Sequence, residues 1–138
     1  MHVDCLNGNF VFSPVQPTSI EMTQDGNSVD SNNPVTVTEG QTSQIVCTAY
    51  GGRPVVEIMW EHQMKGGGYV EITTGVSQTI TSTGDDTFNV VSTLEYTPSN
   101  KDYNEGGIRC VAPAQIATIE MSATAFLSVQ CKCIIIAL

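Results

Sequence analysis

The placement of Cys47, Trp60 and Cys110 constrains this chain more than any other feature. Each lies in a short stretch where apolar and polar residues alternate: Ser43-Gln44-Ile45-Val46-Cys47-Thr48-Ala49, Val56-Glu57-Ile58-Met59-Trp60-Glu61 and Gly107-Ile108-Arg109-Cys110-Val111-Ala112. A period of two marks a strand with one buried face. In each stretch the key residue shares its face with an isoleucine: Ile45 with Cys47, Ile58 with Trp60, Ile108 with Cys110. Two cysteines and one indole on the buried faces of three strands predict two sheets packed against each other, with the indole beside the sulfurs. Trp60 is therefore read as a core residue and is not assigned to a binding site. Cys47 and Cys110 are 63 residues apart. A disulfide closing that loop stabilises by about 4 kcal/mol in the chain-entropy description. Two free buried thiols are the alternative.

The rest of the chain reads as more of the same. Residues 1–16 look irregular, broken by Pro14, with Pro17 just after them. A first strand is expected over Thr18–Met22, and an edge strand over Val35–Thr38 after the turn-rich run from Gln24 to Pro34. Further strands are expected over Tyr69–Ile72, Gln78–Thr83, Phe88–Tyr96 and from about Ile119 to Val129. Gly51-Gly52-Arg53-Pro54, Lys65-Gly66-Gly67-Gly68 and Gly84-Asp85-Asp86 punctuate them as turns. The segment from Ser99 to Gly107 is expected to cross between the sheets. Nine short strands, no amphipathic helix and no internal repeat predict an all-β chain of two antiparallel sheets. The 138 residues suit one domain over 17–130, flanked by the irregular segment 1–16 and a tail over 131–138.

Gly51-Gly52-Arg53-Pro54 ahead of Ile58-Met59-Trp60, then Ser92-Thr93-Leu94-Glu95-Tyr96-Thr97-Pro98, then Arg109-Cys110-Val111-Ala112 resemble the C2-type immunoglobulin domains of nephrin-like and nectin-like adhesion proteins. Pro34-Val35-Thr36-Val37-Thr38-Glu39-Gly40 is similar to the same group, and the resemblance runs over about residues 17 to 130. It implies an immunoglobulin-like two-sheet Greek-key sandwich of C2 or intermediate type. One departure stands out. Members of the superfamily usually carry a tyrosine two residues before the second cysteine. Here that position is Ile108, so aliphatic packing replaces the corner hydrogen bond. Tyr103 lies upstream, where it could stack over the corner.

Alternation along the strands predicts which side chains face outward. Glu57, Met59 and Glu61 point out from the strand of Trp60, Arg109 and Val111 from that of Cys110, and Thr124 and Phe126 from the last strand. Met59, Val111 and Phe126 are expected to form an apolar strip rimmed by Glu57, Glu61 and Arg109. An apolar centre with a charged rim suits a protein interface. The resemblance implies that this face binds another immunoglobulin domain, of the same or a different protein.

Other chemistries find little support. The net charge of −9, with only five scattered basic residues, argues against nucleic acid or an anionic membrane as partner. His62 reads as an exposed polar strand residue with no activated nucleophile nearby, so no enzyme is expected. Asp85-Asp86 and Glu105 lack the spacing of a calcium loop, and the Asp pair reads as a turn. No cofactor or metal is expected. No Asn-x-Ser/Thr acceptor occurs.

Five cysteines in a β-rich chain of this size favour an oxidising, extracellular setting. Cys5, Cys131 and Cys133 are expected to be free or to pair outside this chain. The N-terminus lacks the features of a secretory signal, so either processing has removed one or the chain is a piece of a longer protein, and the second reading is preferred. The apolar end Cys133-Ile134-Ile135-Ile136-Ala137-Leu138 is far short of the ~20 residues that cross a bilayer. It is read as a tail or as the start of a membrane segment. The expected function is that of an extracellular module binding another protein at the cell surface. A structural spacer and a secreted immune-recognition protein are the alternatives.

Overall fold

A computed structural model describes residues 3–6, 9–64, 67–98, 106–114 and 120–131. All regular elements among them are strands: β1 (Val3–Leu6), β2 (Asn9–Phe12), β3 (Ser19–Gln24), β4 (Asn27–Ser28), β5 (Val35–Thr38), β6 (Ser43–Gly52), β7 (Met59–Gln63), β8 (Tyr69–Ile72), β9 (Val76–Ser82), β10 (Phe88–Tyr96), β11 (Gly107–Ala112) and β12 (Met121–Gln130). Ten of them form two five-stranded sheets, in the orders β4-β3-β6-β10-β9 and β5-β12-β11-β7-β8. Strands distant in sequence lie side by side, β6 beside β10 and β7 beside β11, so the chain passes repeatedly from one sheet to the other. This is the Greek-key sandwich that the sequence predicts.

The buried faces follow the alternation. Ile45, Cys47 and Ala49 on β6 and Val90, Ser92 and Leu94 on β10 point inward from the first sheet. Trp60 on β7, Ile108 and Cys110 on β11, and Ala125, Leu127 and Val129 on β12 meet them from the second. Cys47 and Cys110 are joined by a disulfide. Ile108, two residues before Cys110, is fully buried in this core. Trp60 Nε1 donates a 2.9 Å hydrogen bond to Ser92 Oγ, and both side chains are buried. A buried indole needs such an acceptor, because an unpaired N–H away from water is costly.

Several expectations need correction. The second sheet is mixed: β5 runs parallel to β12, with Leu127 opposite Val35 and Val129 opposite Val37. The cause is a change of sheet at residues 30–34. Asp30 Oδ1 accepts the backbone N–H groups of Asn32 and Asn33 at 2.7 and 2.8 Å. That turn carries the chain out of the first sheet and delivers Val35 to the adjoining edge of the other sheet, where Gln24 of β3 still reaches the backbone of Thr36. Residues 3–6 and 9–12, expected to be irregular, pair as antiparallel strands. The turn expected after Gln24 is present at Asp25 and Gly26, with φ of 53° and 79°, and it closes a short hairpin from β3 to β4. Two consecutive positive φ values match the twist of the flanking strands. β7 begins at Met59 rather than Val56, since the N–H of Ile58 goes to Gln78 Oε1 instead of a neighbouring strand. His62 is buried at 6% exposure, not exposed, because it shares the inward face of Trp60.

Cys131 is exposed and carries a free thiol. The expectations placed on Lys65, Gly66, the 99–105 crossing, Tyr103, Glu105, Cys133 and most of the C-terminal tail lie outside the described residues. So does the start expected for the last strand at Ile119.

Candidate protein-binding face

The outer face of the second sheet is laid out by register. Met59 on β7 and Ser122 on β12 flank Val111 on β11. The next row along the strands is Glu71, Glu61, Arg109 and Thr124, from β8 to β12. Beyond it, Tyr69 pairs with Gln63 and Phe126 pairs with Gly107. Gln63 leans over Gly107, and its Oε1 would lie 3.0 Å from a Cβ built there. The glycine thus leaves room for the Gln63 side chain beside Phe126.

Electrostatics order the middle row. Arg109 Nε donates a 2.6 Å hydrogen bond to Glu61 Oε2, and the guanidinium carbon sits 3.8 Å from the centre of the Tyr69 ring. The planar guanidinium thereby satisfies a carboxylate at its edge and an aromatic face at once. The Glu61 hydrogen bond raises the Arg109 pKa still further above the physiological range. Both side chains are only partly exposed, at 26% for Arg109 and 18% for Glu61. Partial shielding leaves this pair less screened by salt than a fully solvated surface bridge. Glu57 and Glu71 are exposed, so carboxylates outnumber cations across the face.

The expected apolar strip is rearranged. Phe126 faces solvent at 52% exposure. Met59 is half-buried. Val111 points outward by alternation but is buried at 4% exposure, so it offers no contact surface. It lies on the central strand of the sheet, flanked by Met59 and Ser122 on either side. Arg109 is not at a rim. It stands on the same central strand and separates the Met59–Val111 row from Phe126. The face is therefore a central cation–carboxylate–aromatic cluster with an exposed phenyl ring at one end.

Tyr69, Glu71, Gln63 and Gly107 belong to this face and were not foreseen in it. Their signal was present in the alternation of Tyr69–Ile72, but only the pairing of β8 with β7 puts Tyr69 within reach of Arg109.

Two five-stranded sheets with a buried disulfide and tryptophan define an immunoglobulin sandwich. Residues 28–114 match the CD80-like C2-set immunoglobulin domain, and this chain belongs to that family. The crystal structure of Rst D1-D2 superposes with a TM-score of 0.64 at 23% identity, covering 85% of this chain and 51% of that one. The full ectodomain of mouse nectin-like molecule 4 gives 0.63 at 19% identity, covering 86% of this chain and 35% of that one. Domain C1 of the IgNAR antibody gives 0.57 at 16% identity, covering 86% and 98%. This chain thus spans about half the length of the first structure and about a third of the second. No curated protein sequence matches it. No helix among the described residues is long and apolar enough to cross a membrane.

Proposed function

We propose that this immunoglobulin domain is an extracellular module of a cell-surface adhesion or recognition receptor, and that it binds another protein, itself an immunoglobulin domain. The module spans residues 17–130, and its contact surface is the outer face of β12, β11, β7 and β8. Its mechanism is association, with no bond made or broken. The observation that carries this reading is Phe126, a half-exposed phenyl ring next to a pre-ordered Arg109–Glu61–Tyr69 cluster. Aromatic residues, phenylalanine among them, and arginine are enriched in protein interfaces relative to the rest of the surface. Holding Arg109 in place before contact lowers the entropy lost when a partner docks. The excess of carboxylates from Glu57, Glu61 and Glu71 favours a partner whose matching surface is basic.

The test is a binding screen against immunoglobulin-domain ectodomains displayed on cells, followed by affinity measurement on any partner found. Phe126→Asp is expected to weaken binding by roughly tenfold or more, as for a truncated interface anchor. Met59→Asp is expected to weaken it less, since Met59 is half-buried. The melting temperature of Phe126→Asp should stay near that of the parent, whereas Met59→Asp should lower it because the carboxylate enters a half-buried strand position. A confirmed partner that binds Phe126→Asp as tightly as the parent removes this face from consideration.

A further inference from the structure

Among the described residues the two sheets expose four edges, and three of them are blunted. β4 is only two residues long. β5 has its backbone occupied: Gln24 Nε2 donates to the carbonyl of Thr36 at 2.8 Å, and Gln24 Oε1 accepts the Thr36 N–H at 3.0 Å. The side-chain amide stands in for a neighbouring strand. β8 has four residues and carries Glu71. Short length, charge and occupied backbone groups are the ordinary means by which sheet edges avoid pairing with other chains.

β9 has none of these. It runs seven residues, Val76–Ser82, without charge, proline or glycine. No charged residue occurs between Glu71 and Asp85, although the chain carries a net charge of −9. Ser77 to Ser82 are all exposed, and Ile80 is 51% exposed.

Hydrogen bonds at its two ends show which backbone groups are turned outward. The N–H of Thr83 donates to the carbonyl of Thr87, and the N–H of Glu95 donates to the carbonyl of Gly75. In an antiparallel ladder, alternate residues point their N–H and C=O groups to the same side. Gly75, Ser77, Thr79, Thr81 and Thr83 therefore address β10. Val76, Gln78, Ile80 and Ser82 address the open edge. Their side chains share the core-facing parity: Val76 packs on the core, and Gln78 bonds the backbone of Ile58.

We infer that β9 is a self-association edge, at which two copies of this chain pair β9 to β9 in antiparallel fashion about a two-fold axis. The first sheets of the two copies then join into one continuous sheet. With Thr79 at the axis, Val76 lies opposite Ser82 of the other copy and Gln78 opposite Ile80, in both directions. Every outward N–H and C=O is matched, and the two Ile80 side chains come close together on the core-facing side. A second copy is the occupant this edge fits. Antiparallel pairing about a two-fold is self-complementary by symmetry. An edge without charge offers nothing to select a charged partner, and no carboxylate stands on the strand itself where two strongly acidic chains would meet, although Glu57 and Glu71 lie nearby beside Val76 and Gln78. Repulsion between the rest of the two molecules falls as salt rises, so the dimer tightens with ionic strength. Docking of the acidic outer face on a basic partner would show the opposite dependence.

Sedimentation equilibrium of the full chain over a wide concentration range tests this, combined with backbone hydrogen exchange. The expected result is a reversible dimer that strengthens with salt. The amides of Val76, Gln78, Ile80 and Ser82 gain protection as concentration rises, while those of Ser77, Thr79 and Thr81 are protected throughout. Ile80→Lys places a charge beside the axis, and Ile80→Pro removes an outward N–H without touching the bonds to β10. Each should weaken self-association by roughly tenfold or more with little change in melting temperature. Ile80 is exposed, so the lysine variant remains a valid test even if the proline variant folds poorly. Phe126→Asp should leave the dimer intact, which separates this edge from the outer face. A chain that stays monomeric at every concentration overturns the inference. So does a dimer that survives Ile80→Lys or is lost in Phe126→Asp.

Discussion

Ser92 shows how one inward-facing polar residue is made compatible with an apolar core. Val90, Ser92 and Leu94 share the buried face of β10, and the indole N–H of Trp60 gives Ser92 Oγ a partner there. Ser92→Ala leaves that N–H unpaired in a dry site. The expected loss is about 2 kcal/mol in urea unfolding. His62 illustrates a different balance. Its ring lies 6.3 Å from Tyr96 in a stacked arrangement, and its Nδ1 is 3.3 Å from Met64 Sδ. Burial lowers its pKa below the ordinary value, so the folded protein holds it neutral. The unfolded chain takes up a proton at about pH 6.5. Stability from this group is therefore complete above that pH and declines as pH falls, until the folded histidine also protonates. His62→Phe should remove this part of the decline when urea midpoints at about pH 7.5 and about pH 5.5 are compared. The residue's polarity suggested exposure. Its spacing of two from Trp60 already placed it inward, and the spacing prevailed because side-chain direction on a strand is fixed by backbone geometry.

At the level of elements, the turns decide what the strands can do. Gly75 links β8 to β9 with φ of 75°, and a Cβ at that position would lie 2.6 Å from the carbonyl oxygen of Glu95. Both the backbone conformation and the close approach exclude a side chain. Gly75→Ala should cost about 2 kcal/mol or more. The damage should be greatest at β9, visible as faster amide exchange at Ser77 and Thr79. Gln24 has an equivalent role for β5, and its alternation gave no hint of it, since an exposed glutamine after a strand reads as ordinary surface. The same limit applies to the outer face. Alternation placed Met59, Val111, Glu61, Arg109 and Phe126 on one side, and the pairing of strands bears that side out. Which strand is central was not readable from alternation. Position in the sheet buries Val111 and sets Arg109 between the apolar ends, because a central strand has neighbours on both flanks and an edge strand on one.

For the whole molecule, the disulfide is the widest constraint. It closes a separation of 63 residues and ties β6 in one sheet to β11 in the other. Replacing both cysteines by alanine should lower stability by about 4 kcal/mol, read from denaturant midpoints under oxidising conditions. The pairing of Cys47 with Cys110, the burial of Trp60 and the two-sheet class were legible in the chain itself. Period-two patterning is a local property, and a sandwich converts it directly into an inside and an outside. The parallel docking of β5, the pairing of residues 3–6 with 9–12, the Arg109–Tyr69 contact and the bare edge of β9 were settled only by tertiary structure. Each depends on which strands become neighbours, and that is governed by long-range closure of the two sheets around their shared core, for which no short stretch of residues carries the information.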